Sequence, residues 1–114
     1  MSVVQDLMNH ARSDTDLLGS LDAQGDDFSR HRDVDFLLLA PSSEKAELLR
    51  DFINDHQYGV ASLNDAKQPH GVQVVVSMPI EQNVICSVSG FMACLAKLFA
   101  CEYDGWGCLV QKRT

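Results

Sequence analysis

The stretch RDVDFLLLAPSS, residues 32–43, decides the architecture. Residues 34–40 are apolar apart from Asp35 and stop at Pro41, which reads as a strand. Val34, Phe36 and Leu38 point to one side of it, and Asp35, Leu37 and Leu39 to the other. Ser42 and Ser43 then cap a helix, with Glu44 and Glu47 near its positive end. Leu48, Leu49, Phe52 and Ile53 form that helix's apolar stripe, and HQYG ends it at Gly59. A strand that feeds straight into an amphipathic helix is the first half of a βαβ unit.

The pattern then repeats with different lengths. Residues 60–63 form a short strand, and NDAKQPHG, residues 64–71, is a loop rich in breakers. VQVVVSM, residues 72–78, is a β-branched strand stopped by Pro79. Ile80, Val84, Ile85, Val88, Met92, Leu95 and Phe99 recur at helical spacing to about residue 101. Gly90 weakens that helix by roughly 1 kcal/mol against Ala, and its small size suits a close approach to the sheet. Residues 106–110 make the last strand. Ahead of all this, Val4, Leu7, Met8, Ala11, Leu18 and Leu21 mark a helix over residues 3–21, its stripe interrupted by Asp14 and Thr15.

The order is a helix followed by β-α-β-β-α-β, which predicts an α+β, ferredoxin-like split βαβ sandwich with an antiparallel sheet and an extra N-terminal helix. One domain fills the 114 residues: residues 1–27 are the N-terminal helix with an acidic loop, and residues 30–114 the βαββαβ core. Both core helices belong on one face. Leu37, Leu39 and Val75 are then left on the other, where the N-terminal helix is expected to cover them.

The formal net charge of −7 is uneven. Residues 1–55 hold 5 basic and 12 acidic side chains, a balance of −7, whereas residues 56–114 hold 4 of each. Such a chain repels phosphate backbones, which argues against direct nucleic-acid binding and for a basic protein segment as partner. Residues 84–96 are uncharged but too few for a membrane span of roughly 20, and Lys97 interrupts them. With no signal sequence at the start, Cys86, Cys94, Cys101 and Cys108 are expected to be reduced thiols in a cytoplasm. Their spacing lacks the close pairs of a zinc site, and His10, His31, His56 and His70 share no i, i+4 spacing. No metal, cofactor or catalytic constellation is indicated.

CEYDGWG, residues 101–107, is the most distinctive segment. Asp104-Gly105 signals a turn, with Gly105 and Gly107 as its structural glycines, reversing the chain into the last strand. Glu102, Tyr103, Asp104 and Trp106 together offer acids and aromatics for docking Arg or Lys. Asp26, Asp27 and Asp33 would supply further charge to the same partner.

EYDGWG, residues 102–107, following LAKLF, residues 95–99, resembles the regulator of ribonuclease E activity B family. LLRDFINDHQYGV, residues 48–60, looks like that family's first core helix running into its Gly/Tyr turn. The resemblance implies a ferredoxin-like fold without catalysis or cofactor. It also implies a bacterial cytoplasmic protein that binds ribonuclease E on its disordered, Arg-rich scaffold, inhibits it and shifts mRNA decay. Two features depart from the family pattern: the basic end QKRT stands where a long acidic tail is expected, and Cys108 where Thr is expected. The expected assembly is a monomer or weak homodimer. The competing readings are a small-ligand sensor or dimeric interaction module on the same sandwich, and a thiol or metal enzyme.

Overall fold

A computed structural model describes residues 2–66 and 68–113. Its elements are α1 (Val3–Ala23), β1 (Arg32–Leu39), α2 (Ser43–Asp55), β2 (Val60–Leu63), β3 (Gly71–Met78), α3 (Gln82–Leu98) and β4 (Glu102–Cys108). The sheet order is β2-β3-β1-β4, with every neighbouring pair antiparallel. Each helix after the first therefore crosses over a strand inserted between the two it joins. This is the ferredoxin-like split βαβ arrangement expected above.

The central strands are the most apolar ones, as burial on the helix side demands. Val34, Phe36 and Leu38 of β1 are fully buried, as are Val72 and Val74 of β3. Leu49 and Ile53 of α2, and Ile85 and Met92 of α3, close over them. The Ser42 hydroxyl accepts the Lys45 N–H at 3.2 Å and caps α2. At the other end of the helical layer α3 finishes in a Schellman motif: the N–H of Cys101 reaches the Ala96 carbonyl at 2.8 Å, and that of Ala100 the Lys97 carbonyl at 3.2 Å. Ala100 takes φ +57° to do so.

That motif corrects the expected turn. The chain reverses at residues 99–101, and Asp104-Gly105 lies inside β4. Tyr103 faces Leu38 and Gly105 faces Leu37, so Asp104 is the extra residue of a β-bulge. Gly105 adopts φ +101°, a conformation open to glycine. A bulge and a turn need the same residue types, which is why the pair reads as a turn in sequence. Gly107 is likewise an ordinary strand residue.

The N-terminal helix does not cover the second sheet face. It packs against α3 and the adjoining part of β4, extending the helical layer sideways. Leu7 of α1 lies 3.6 Å from where a Cβ on Gly90 would stand, so that glycine faces α1 and not the sheet. Lys97 and Asp6 join the two helices at 3.0 Å. The buried residues of α1 are Asp14, Leu18 and Leu21, whereas Val4 and Met8 are exposed. Leu37, Leu39 and Val75 remain only half-buried on a face that carries no helix.

Candidate functional site

Strand alternation builds that open face from β1 outward. Asp35 lies between Val75 of β3 and Gly107 of β4, Leu37 between Gln73 and Gly105, and Leu39 between Gly71 and Glu102. A trough of about 340 Å³ runs along these rows, walled on one side by residues of the β2–β3 connection, including Asn64. A chain of side-chain hydrogen bonds crosses its floor. Asn64 Nδ2 donates to Gln73 Oε1 at 2.6 Å, and Gln73 Nε2 donates to Asp35 Oδ1 at 3.0 Å. Asp104 stands at the opposite wall.

Among the described strand residues, the exposed charges have one sign. The four strands contain four acids, Asp33, Asp35, Glu102 and Asp104, and all are exposed. Arg32, the single base in the strands, points inward and is buried. Of the residues singled out in the sequence, Asp104 lines the trough, where Asp35 joins it; Asp33 lies further along the outward side of β1, and Glu102 lines a hollow with Asp6, His10 and Lys97 on the helical side. Asp35 was legible as an acid on the strand's outward side, but nothing in the sequence tied it to Gln73 and Asn64.

Tyr103 and Trp106 turn the other way. Trp106 Nε1 donates to Asp14 Oδ1 at 2.9 Å. The Tyr103 hydroxyl and Ser89 Oγ are 2.8 Å apart. The Ser89 hydroxyl also favours the ionised form of the nearby Asp14 carboxylate. In the Ser89–Tyr103 bond either hydroxyl can donate. Burial pushes the Tyr103 phenol well above its ordinary value, which keeps that proton in place. The His10 ring packs on Tyr103 with centroids 4.7 Å apart. The motif's two aromatics therefore pin α1 and α3 onto β4, and Tyr103, only 8% exposed, has no surface to offer a partner.

Asp14 is the residue that looked like an interruption of the α1 stripe. It is 4% exposed, and desolvation pushes its carboxyl above the ordinary value of 3.8. A raised folded-state value means the native protein holds this proton more tightly than the unfolded chain. Its stabilising effect is complete below 3.8 and is lost as pH rises through the folded value. Asp14→Asn is therefore expected to be more stable than the wild type at neutral pH, with the gap narrowing below pH 3.8, as urea unfolding at several pH values would reveal. Trp106→Phe removes the indole donor from this buried carboxylate and should cost about 1–3 kcal/mol.

Asp26 and Asp27 also differ from expectation. Asp26 is 1% exposed and ion-paired to Arg32 Nη1. Its Oδ2 accepts the Gln111 N–H at 3.1 Å, and Arg113 Nη1 reaches its carbonyl at 2.9 Å. The pair clasps the segment after β4 to the α1–β1 connection and cannot face a partner. Asp27 is spent locally: Oδ1 accepts the Ser29 N–H and hydroxyl at 3.1 and 2.7 Å, and these bonds hold its carboxyl below the ordinary range. Asp33 alone of this group lies on the open face.

Burial raises the thiol pKa of Cys86, Cys101 and Cys108, which disfavours the thiolate. Among the described residues no group of three or more His, Cys, Asp or Glu could hold a metal ion, and no helix is long and apolar enough to cross a membrane.

A sandwich with helices on one side only, and with a trough lined by Asp35 and Asp104 on the other, defines a ferredoxin-like domain that presents a charged face. The chain belongs to the family described as regulator of ribonuclease activity B, whose sequence profile matches residues 11–108, from within α1 to the end of β4. Membership makes it a regulator of ribonuclease activity, with a ribonuclease as the kind of partner implied. A search of curated proteins finds no match to this chain.

Proposed function

We propose that this protein regulates a ribonuclease without catalysis of its own, by holding a cationic segment of the nuclease against its open sheet face. The family resemblance points to the basic scaffold region of ribonuclease E in the cytoplasm, with altered mRNA decay as the consequence. The observation that carries the reading is the distribution of charge: every acid in the strands is exposed, Asp35 and Asp104 line the trough of the helix-free face, and the only base in the strands is buried. The net charge of −7 opposes RNA as the ligand and favours a basic peptide.

Titration of a fluorescent scaffold peptide tests this directly. Raising salt from about 0.1 M to about 1 M shortens the screening length from about 10 Å to about 3 Å. Affinity is expected to fall at least tenfold across that range. A dissociation constant unchanged by salt would remove electrostatic docking as the mechanism.

A further inference from the structure

We infer that the trough on the open face is a slot for one arginine side chain of the bound protein, and that it discriminates arginine from lysine. The inference rests on the reading above in that it requires a cationic protein ligand, but its chemistry comes from the trough itself.

The first observation is Gly107. Gly105 is explained by its positive φ, but the backbone of Gly107 is not in the left-handed region. A Cβ built on Gly107 meets no atom within 4 Å. The fold would accept a side chain there, and glycine within a strand weakens it. What a side chain at 107 would occupy is the trough, since Gly107 pairs with Asp35 and lines it. The missing side chain keeps that space clear for something outside the chain.

The second observation is how Asp35 is held. Gln73 bonds its Oδ1 and is itself held by Asn64, so the carboxylate is oriented before any ligand arrives. Oδ2 makes no hydrogen bond among the described residues. Asp104 supplies a second carboxylate across the trough, and the half-buried Leu37 and Leu39 give an apolar floor between them.

These features match a guanidinium better than an ammonium. A guanidinium is planar and weakly hydrated, and its fork of N–H groups can bond a carboxylate in two places. Its flat face and three-carbon stem lie well on leucine side chains. An ammonium is compact and strongly hydrated, and would lose water over Leu37 and Leu39 without a matching return. A space of about 340 Å³ is near the lower bound of ligand pockets and fits one side chain, not a folded segment.

The test uses the full chain, labelled with ¹⁵N, and two capped peptides, acetyl-Gly-Gly-Arg-Gly-Gly-amide and its Lys counterpart. The Arg peptide is expected to shift the amide signals of Asp35, Asp104, Gly105 and Gly107, and the Lys peptide to bind at least about fivefold more weakly. Gly107→Val fills the slot with a good strand former, and Asp35→Asn removes its oriented charge. Each should abolish the localised shifts while leaving the remaining spectrum, and hence the fold, intact. Equal binding of the two peptides, shifts scattered over the helical layer, or an unaltered response in both variants would overturn the slot. If the peptides behave as expected but no ribonuclease segment binds the wild type, the proposed function fails and the slot stands. If the scaffold segment binds wild type and Gly107→Val alike, the reverse holds.

Discussion

Arg32→Ala should lower stability by about 3–5 kcal/mol, because it leaves the Asp26 carboxylate buried without its counter-charge. The loss reaches beyond the pair. Arg32 Nη2 also donates to the Asp27 carbonyl at 2.8 Å, and Nη1 to the Leu109 carbonyl at 3.3 Å. One side chain thus ties together the α1–β1 connection, β1 and the segment after β4. At about 4–8 °C per kcal/mol for a domain near this size, the melting temperature should drop by more than about 10 °C. The double variant Asp26→Leu, Arg32→Met removes both charges and should recover part of the loss. It cannot recover all of it, since the Asp27 and Leu109 carbonyls still lack their donor. Calorimetry of the three proteins separates the cases. An Arg32→Ala protein within about 1 kcal/mol of wild type would mean that water replaces the pair without penalty.

The second large effect is on binding. Changing Asp33, Asp35, Glu102 and Asp104 together to their amides should weaken capture of the cationic segment by about fourfold to nearly a thousandfold at low salt. That range follows from about 0.2–1 kcal/mol for each exposed ion pair. The matched control changes Glu44, Glu47, Asp51 and Asp55, four exposed acids of α2 on the helical side, in the same way. It removes the same total charge, so long-range attraction drops equally in both. A difference between the two variants therefore reports where the segment lies. Equal weakening would show that only net charge matters and that the open face is not the contact.

How far the chain can be read without coordinates depends on the range of the interactions involved. The alternation in residues 34–39, the Ser42 cap and the stops at Pro41 and Pro79 are local, and they were enough for the strand–helix order and its sheet topology. Asp14 is a different case. A carboxylate inside an apolar stripe reads as a break until its partner is known, and Trp106 stands 92 positions away. The same distance hid the roles of Tyr103 and Trp106, whose company of acids suggested a surface when the rings in fact point inward. Asp26 and Arg32 are only six apart, but their pairing depends on a connection that has no periodicity to read. The position of α1 is not legible in the same way, because its amphipathic stripe says that it must pack without saying on which layer. The open face itself followed from β1, and only its hydrogen-bonded floor and the Gly107 gap needed three dimensions.

The margins of the sheet have their own consequence. β2 is four residues long, and β4 is distorted by the Asp104–Gly105 bulge, so neither rim is a good template for annexing a foreign strand. Recognition that cannot run through main-chain pairing falls to whatever side chains the middle of the sheet displays. Those side chains stand outside the core and contribute little to its packing. Descendants of this backbone could therefore trade one client for another by altering a handful of outward positions, while the scaffold beneath goes unchanged.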